Sequence, residues 1–243
     1  MVRSVSRSRW VIGIDDTDMP TEGGTGQLAR RLTRDLERLG CGVAKGVTRH
    51  QLFAGPGVPK TSRNSAAAIE FVGATPVATL FDAVGRIVAR AAVPGSDPGV
   101  ALAPVQLEAE VVEFARSAQA GLVTQGQARR VAAHNGVILE GLGGDEGGVI
   151  GALAAAGLRD NGNDGRFVGL AGIRDVAGVM EVADVLEQTG ITAILDETAG
   201  HPLPDGAAID LGDWVRPRLI NGLPVLVARH NGERWTNADA RPR

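Results

Sequence analysis

Residues 10–26, WVIGIDDTDMPTEGGTG, decide how the rest of the chain is read. Trp10 to Ile14 is short, β-branched and aromatic, the profile of a buried strand. Asp15, Asp16 and Asp18 follow at once, with Glu22 close behind. Gly23 and Gly24 allow a sharp turn, and Thr25 is placed to cap a helix whose face carries Leu28, Leu32, Leu36 and Leu39. Acids bunched at the end of a buried strand repel one another unless a positive charge sits between them. A hard cation with oxygen ligands suits them, and Mg²⁺ commonly arrives with phosphate. The stretch therefore reads as a metal–nucleotide site.

Working outward, residues 42–49 read as a second strand and 65–72 as a third, whose alanines suit close packing under a helix. Thr75-Pro76 opens a helix with Leu80, Val84, Ile87, Val88 and Ala91 on one stripe. Residues 95–99 form a loop and 100–103 a short strand. This order spells β-α-β-β-α-β, the split pattern of ferredoxin-like folds. Beyond it, residues 106–120 and 124–134 read as helices, 137–142 as a strand and 149–158 as a small-residue helix. Residues 166–172 and 191–195 read as strands around a helix at 179–188. Asn221-Gly222 and Asn231-Gly232 then punctuate an antiparallel meander of 215–220, 223–229 and 233–236. A domain boundary is expected between residues 95 and 96, dividing the chain into 1–95 and 96–243.

Composition narrows the function classes. The chain has 243 residues and a net charge of −3, which argues against general nucleic-acid adhesion but permits a local basic groove. Aromatics make up 3% and there is no tyrosine, a poor endowment for stacking on single-stranded bases. Cys41 is the single cysteine, so no internal disulfide or cysteine-built zinc ribbon can form. His50, His134, His201 and His230 have no ligand spacing for zinc. No apolar run approaches a membrane span, and a cytoplasmic protein with no membrane partner is expected.

Two further stretches could contact phosphate. Residues 141–148, GLGGDEGG, turn from a strand into a helix, and Gly147 and Gly148 could present main-chain N–H groups to an anion. The spacing matches neither a P-loop nor a dinucleotide fingerprint, and a run of glycines before a helix is more often a plain tight turn. The loop at 49–64 gathers Arg49, His50, Lys60 and Arg63 with Thr61, Ser62 and Asn64, a mix suited to a triphosphate or an RNA backbone.

Taken together, three of these stretches resemble archaeal isoleucine-tRNA agmatidine synthetase, TiaS. They are GIDDTD at 13–18 with GGTG at 23–26, GVTRHQLFAGPGVPKTSRNSAA at 46–67, and GGVIGALAAAGL at 147–158; RPRLINGLPV at 216–225 is similar more loosely. The resemblance implies an α+β protein, with a kinase-like α/β ATP-binding domain and a ferredoxin-like βαββαβ part. It implies Mg²⁺ on Asp15, Asp16 and Asp18 and a phosphate-accepting threonine at Thr25. Gly24, Arg49, Lys60, Arg63, Asn64, Gly147 and Gly148 would contact ATP. The family's OB-fold and zinc ribbon are expected to be missing, which makes this a short homologue. The expected function is an Mg-ATP-dependent enzyme that phosphorylates an acceptor oxygen before an amine attacks. The partners are a nucleotide and either tRNA or a small-molecule acceptor. The alternative is a nucleotide-binding sensor or partner module without turnover.

Overall fold

The computed structural model describes residues 7–18, 24–58 and 64–240. The chain forms two compact units, Met1–Asn161 and Gly162–Arg243. The division falls between Asn161 and Gly162, whereas the sequence reading put it between residues 95 and 96. The reason is β-pairing: the strand after residue 95 inserts beside the first strand and completes its sheet.

In the first unit the strands are β1 (Ser8–Asp15), β2 (Val43–Gln51), β3 (Ser65–Gly73), β4 (Gly99–Pro104) and β5 (Ile138–Gly141). The helices are α1 (Thr25–Arg38), α2 (Val77–Ala91), α3 (Ala109–Ala120), α4 (Gln125–His134) and α5 (Gly148–Asn161). The strands run β5-β4-β1-β3-β2 with every neighbouring pair antiparallel. Its β4-β1-β3-β2 portion, with α1 and α2 as crossovers, is the expected split β-α-β arrangement. β1 is central, which explains why its five apolar or glycine residues run unbroken. With helices over both faces of the sheet, no position in this strand needs to be polar.

The two faces differ in side-chain size. Val11, Ala66, Ala68, Ala101 and Ala103 belong to a cluster with Ala152, Leu153, Ala155 and Ala156 of α5, Val111 and Ala115 of α3, and Ala128 of α4. Small side chains let α5 approach the strands closely. A β-carbon on Gly13 would lie 2.0 Å from the Ala152 carbonyl oxygen, so only glycine fits there. The period-two alternation sends Ile12, Ile14, Ile69, Phe71 and Leu102 to the opposite face, and all are fully buried. α1 contributes buried Leu28, Leu32 and Leu36, and α2 contributes Leu80, Val84 and Val88. Leu39, expected on that inner stripe, is the C-cap of α1 and is 64% exposed.

The second unit contains β6 (Arg166–Gly169), β7 (Val179–Glu181), α6 (Val182–Gln188), β8 (Ala193–Asp196), β9 (Ala208–Asp210), β10 (Arg218–Ile220), β11 (Leu223–His230) and β12 (Trp235–Asn237). β10, β11 and β12 form the expected antiparallel meander. Asn221 and Gly222 have φ of 50° and 78°, the left-handed pair that a tight two-residue hairpin turn requires. β8 adds to β11 in parallel, and β9 pairs with β12 in parallel. Residues 179–181, expected to start a helix, instead pair with β9 as β7, and the helix begins at Val182. Ile173, Val182, Val185, Ile194, Ile209, Leu211 and Leu226 are among the residues of this unit's core.

Candidate nucleotide and phosphoryl-transfer site

At the end of β1 the acidic residues leave the strand in different directions. Asp15 keeps the strand's alternation and turns its carboxyl under α5. A β-carbon on Gly151 would lie only 1.8 Å from Asp15 Oδ2, so the glycine makes room for the carboxylate. Burial pushes the Asp15 carboxyl up to about 7; the charges of Asp16 and Asp18 add to this, against a hydrogen bond from the Asp16 backbone. Asp16 has φ of 53°, an uncommon left-handed conformation for a non-glycine residue. Burial pushes its carboxyl up to about 6, and the charges of Asp97, Asp18 and Asp145 push the same way.

Two of those neighbours, Asp97 and Asp145, were not singled out in the sequence. Asp97 lies in the loop before β4 and Asp145 in the glycine-rich turn before α5. The Asp97 backbone hydrogen-bonds the Asp16 carboxylate. Its side-chain Oδ1 accepts from the Asp145 backbone N–H at 3.0 Å, and its carbonyl accepts from the Gly148 N–H at 3.0 Å. Gly144, with φ of 58°, lets this happen: a β-carbon there would sit 1.4 Å from Asp97 Oδ1. One residue thus ties together the acidic turn, the entry to β4 and the glycine-rich turn.

The third acid faces the start of α1. Gly24 is the N-cap of this helix and no side chain caps it. Thr25, expected as the cap, is the first helical residue instead. Its hydroxyl accepts from Thr17 Oγ1 at 3.3 Å and donates to Asp18 Oδ1 at 3.4 Å. Thr17 and Thr25 are both buried. Burial raises the Asp18 carboxyl, while the Thr25 hydrogen bond and the charge of Arg49 draw it back down. The structure therefore brings Asp18, Thr25 and Arg49 into one neighbourhood, Arg49 reaching it from β2.

Other expected contacts are differently occupied. The Gly147 N–H donates to Asp145 Oδ1 at 2.7 Å and the Gly148 N–H to the Asp97 carbonyl. Both amides thus have acceptors within the turn and its neighbouring loop. Asn64 has φ of 39°, its amide nitrogen donates to the Phe53 carbonyl at 2.5 Å and its own carbonyl accepts from the Leu52 N–H at 3.0 Å. It closes the loop that precedes it. His50 lies in β2 rather than in the loop, fully buried, with Nε2 2.8 Å from Thr48 Oγ1. Arg49 Nε donates to Ser65 Oγ at 2.7 Å. Glu22, Lys60 and Arg63 lie outside the described residues.

Among the described residues no group of three or more acidic, histidine or cysteine side chains is arranged to hold a metal ion. Mg²⁺ does not need one, since it usually takes one or two carboxylates and completes its shell with water and phosphate oxygens. Burial and neighbouring acids raise the carboxyls of both Asp15 and Asp16. Among the described residues no helix is long and apolar enough to cross a membrane.

No family model matches the chain, and no curated protein matches it in sequence. Solved structures do match. The chain is similar to TiaS in its complex with an isoleucine tRNA and ATP, at 27% identity and a TM-score of 0.56, over 62% of this chain and 36% of that one. It is similar to a tRNA fluorescent labelling enzyme at 27% identity and a TM-score of 0.55, over 61% of this chain and 36% of that one. Apo TiaS, the isoleucine-tRNA agmatidine synthetase, gives 26% identity and a TM-score of 0.54, over 61% and 35%. The chain thus spans about 36% of the length of the first of these proteins, and over that span it is TiaS-like.

Proposed function

We propose that the chain is an Mg-ATP-dependent phosphotransferase or ligase of the TiaS type, with its reacting centre between the end of β1 and the start of α1. The observation that carries this reading is the Thr25 hydroxyl, held between Thr17 and Asp18 at the N-terminus of a helix with no side-chain cap. A helix N-terminus favours phosphate through its unpaired N–H groups and its dipole. Beside it stand the acids that a metal would join to that phosphate. The similar structures include a complex with ATP and tRNA, which supports a nucleotide ligand.

In this reading Asp16 and Asp18 face Mg²⁺ most directly, and Asp15 supports them from beneath α5. The metal would neutralise charge on the transferring phosphoryl group. Asp18 orients the Thr25 hydroxyl and accepts its proton as Thr25 takes the phosphoryl group. Arg49, with Lys60 and Arg63, holds phosphate charge. Transfer forms an oxygen–phosphorus bond and releases ADP. When an acceptor oxygen is phosphorylated in turn, an amine can displace the phosphate, forming a carbon–nitrogen bond as the carbon–oxygen bond breaks. The acceptor is either a tRNA nucleotide or a small molecule.

Incubation with Mg-ATP followed by peptide mass spectrometry tests the centre of this scheme. The expected result is a single added phosphate on the peptide containing Thr25, lost in Thr25→Val. An unmodified protein that binds Mg-ATP without consuming it would replace the enzyme reading with a nucleotide-binding module.

A further inference from the structure

The tripeptide His-Asn-Gly occurs twice in the chain, at 134–136 and 230–232. Asparagine before glycine is open to attack on its own side chain, because glycine has no β-carbon to shield the following backbone nitrogen. The two copies share this chemistry, so a difference between them comes from the fold. At the end of α4, Asn135 is the helix C-cap, and its amide nitrogen donates to Glu110 Oε2 and to the Val131 carbonyl, each at 2.8 Å. His134 turns towards the same carboxylate, with Nδ1 3.8 Å from Glu110 Oε1. Both hydrogens of that amide are held, and its histidine is engaged with Glu110.

The second copy, in the turn between β11 and β12, is arranged differently. The Gly232 N–H donates to His230 Nδ1 at 3.2 Å, so the imidazole lone pair faces the nitrogen of the Asn231–Gly232 peptide bond. Edge-on contact with Trp235, the ring centroids 5.0 Å apart, restrains that imidazole. Asn231 Oδ1 accepts from the backbone N–H groups of Glu233 and Arg234, at 3.0 and 2.9 Å. Two donors on one carbonyl oxygen stabilise negative charge that develops there. Among the described residues the Asn231 amide nitrogen has no hydrogen-bond partner. Residues 230–234 are exposed, and a β-carbon on Gly232 would meet nothing within 4 Å, so water and a closing ring both have room.

We propose that His230, Asn231 and Gly232 form a self-modification site that converts Asn231 to aspartate and isoaspartate. His230 Nδ1 takes the Gly232 N–H proton as that nitrogen attacks Asn231 Cγ and forms a nitrogen–carbon bond. The Glu233 and Arg234 N–H groups hold the resulting oxyanion. The side-chain amide nitrogen then takes the proton from the imidazolium and leaves as ammonia, its carbon–nitrogen bond breaking to give a cyclic succinimide. Water opens either carbonyl of the ring. The sum is amide plus water to carboxylic acid plus ammonia, with nothing oxidised or reduced. The product adds a negative charge to the turn, and the iso form reroutes the main chain through the side-chain carbon. The remaining Asn-Gly pairs lack the base: Asn161 lies in α5, and the Gly222 N–H donates to the Gly162 carbonyl at 2.9 Å, an oxygen that cannot take its proton.

The test incubates the full chain at neutral pH and physiological temperature in heavy-oxygen water. Digestion in ordinary water and peptide mass spectrometry then read each Asn-Gly site over time, so that conversion during digestion carries no label. The expected result is conversion at Asn231 at least about tenfold faster than at Asn135, with aspartate and isoaspartate peptides as two chromatographic peaks. His230→Gln should slow Asn231 conversion by about tenfold or more while the thermal midpoint moves little. In urea-unfolded protein the two sites should convert at similar rates, because their tripeptides are identical. Equal rates at Asn231 and Asn135 in the folded parent would overturn the proposal, and that comparison does not depend on a variant folding. Unchanged conversion of Asn231 in folded His230→Gln would overturn the role of the imidazole. A preference for Asn231 that persists undiminished in urea would overturn the site as well, since it would then come from neighbouring sequence and not from the turn.

Discussion

Asp97 and Asp145 are 48 residues apart in sequence, yet the Asp97 carboxylate accepts the Asp145 backbone N–H at 3.0 Å. This bond clamps the glycine-rich turn onto the loop before β4, and the Asp97 backbone passes the constraint on to Asp16. The turn's glycines therefore serve a local purpose: they admit carboxylates.

Substitution at Gly144 tests that clamp. Gly144→Ala puts a β-carbon 1.4 Å from Asp97 Oδ1 at a residue with φ of 58°. Both the overlap and the left-handed backbone oppose it. The expected loss is about 1–3 kcal/mol in urea denaturation, with the largest gain in amide exchange at Asp145 and Gly148. Unchanged exchange at those two amides would show that the clamp does not hold the turn.

The acids predict an unusual pH dependence. Asp15 and Asp16 are raised in the folded state to about 7 and about 6, from a usual value of 3.8. Between those limits the folded protein binds more protons than the unfolded chain, so stability falls as pH rises from about 4 to about 7. Above that window the penalty is complete. In EDTA, urea midpoints for the parent should be higher at pH 5 than at pH 8, and Asp15→Asn should flatten the difference. Saturating Mg²⁺ should restore stability at pH 8, because a cation favours the ionised carboxylates. A flat parental profile would mean that the acids are not crowded in the folded protein.

The first unit was largely legible in the sequence, and for a clear reason. Apolar residues at helical spacing in α1 and α2, and short β-branched or alanine-rich runs in β1 and β3, left few alternatives. The acids of the opening stretch were visible because they are contiguous. Asp97 and Asp145 were not, since each sits in an ordinary Gly/Pro-rich turn and only the β4 and α5 packing brings it to Asp16. The acceptors of the Gly147 and Gly148 amides were hidden for a related reason: composition shows a flexible turn but not which acceptors its N–H groups already have. The unit boundary was placed too early because the loop at 95–99 looks like a linker, whereas its neighbour β4 pairs with β1 over six residues. In the second unit the Asn-Gly turns were informative, while three-residue strands such as β7 and β9 are too short to show periodicity.

Thr25 offers a test of chemistry separate from folding. Thr25→Val keeps the side-chain shape and removes the hydroxyl that Thr17 and Asp18 hold. ATP consumption should fall by about 10²-fold or more while the thermal midpoint moves little, and Thr25→Ser should recover a measurable part. If ATP consumption by Thr25→Val equals that of the parent, the hydroxyl takes no part in the transfer.

In the second unit the most concentrated electrostatics lie at Asp239, which accepts from Arg218 Nε at 2.8 Å and Nη2 at 3.0 Å and also pairs with Arg166. Burial works to raise the Asp239 carboxyl, but the hydrogen bonds from Arg218 and Arg166 overcome it and hold the group below its usual value. A depressed carboxyl stabilises the fold above the unfolded value of about 3.9, and that contribution is lost as pH falls through the folded value. Asp239→Asn removes the charge that both arginines share and should lower stability by about 1–2 kcal/mol at pH 7. The difference from the parent should shrink as pH falls through the lowered folded value, where the parent carboxyl is itself protonated. Arg218 also lies 3.7 Å from Glu197, which Arg229 engages at 2.7 Å, so the loss should spread along β10 and β11 in hydrogen exchange. Nucleotide binding in the first unit should be unaffected, and a matching loss there would show that the two units do not carry separate stabilities.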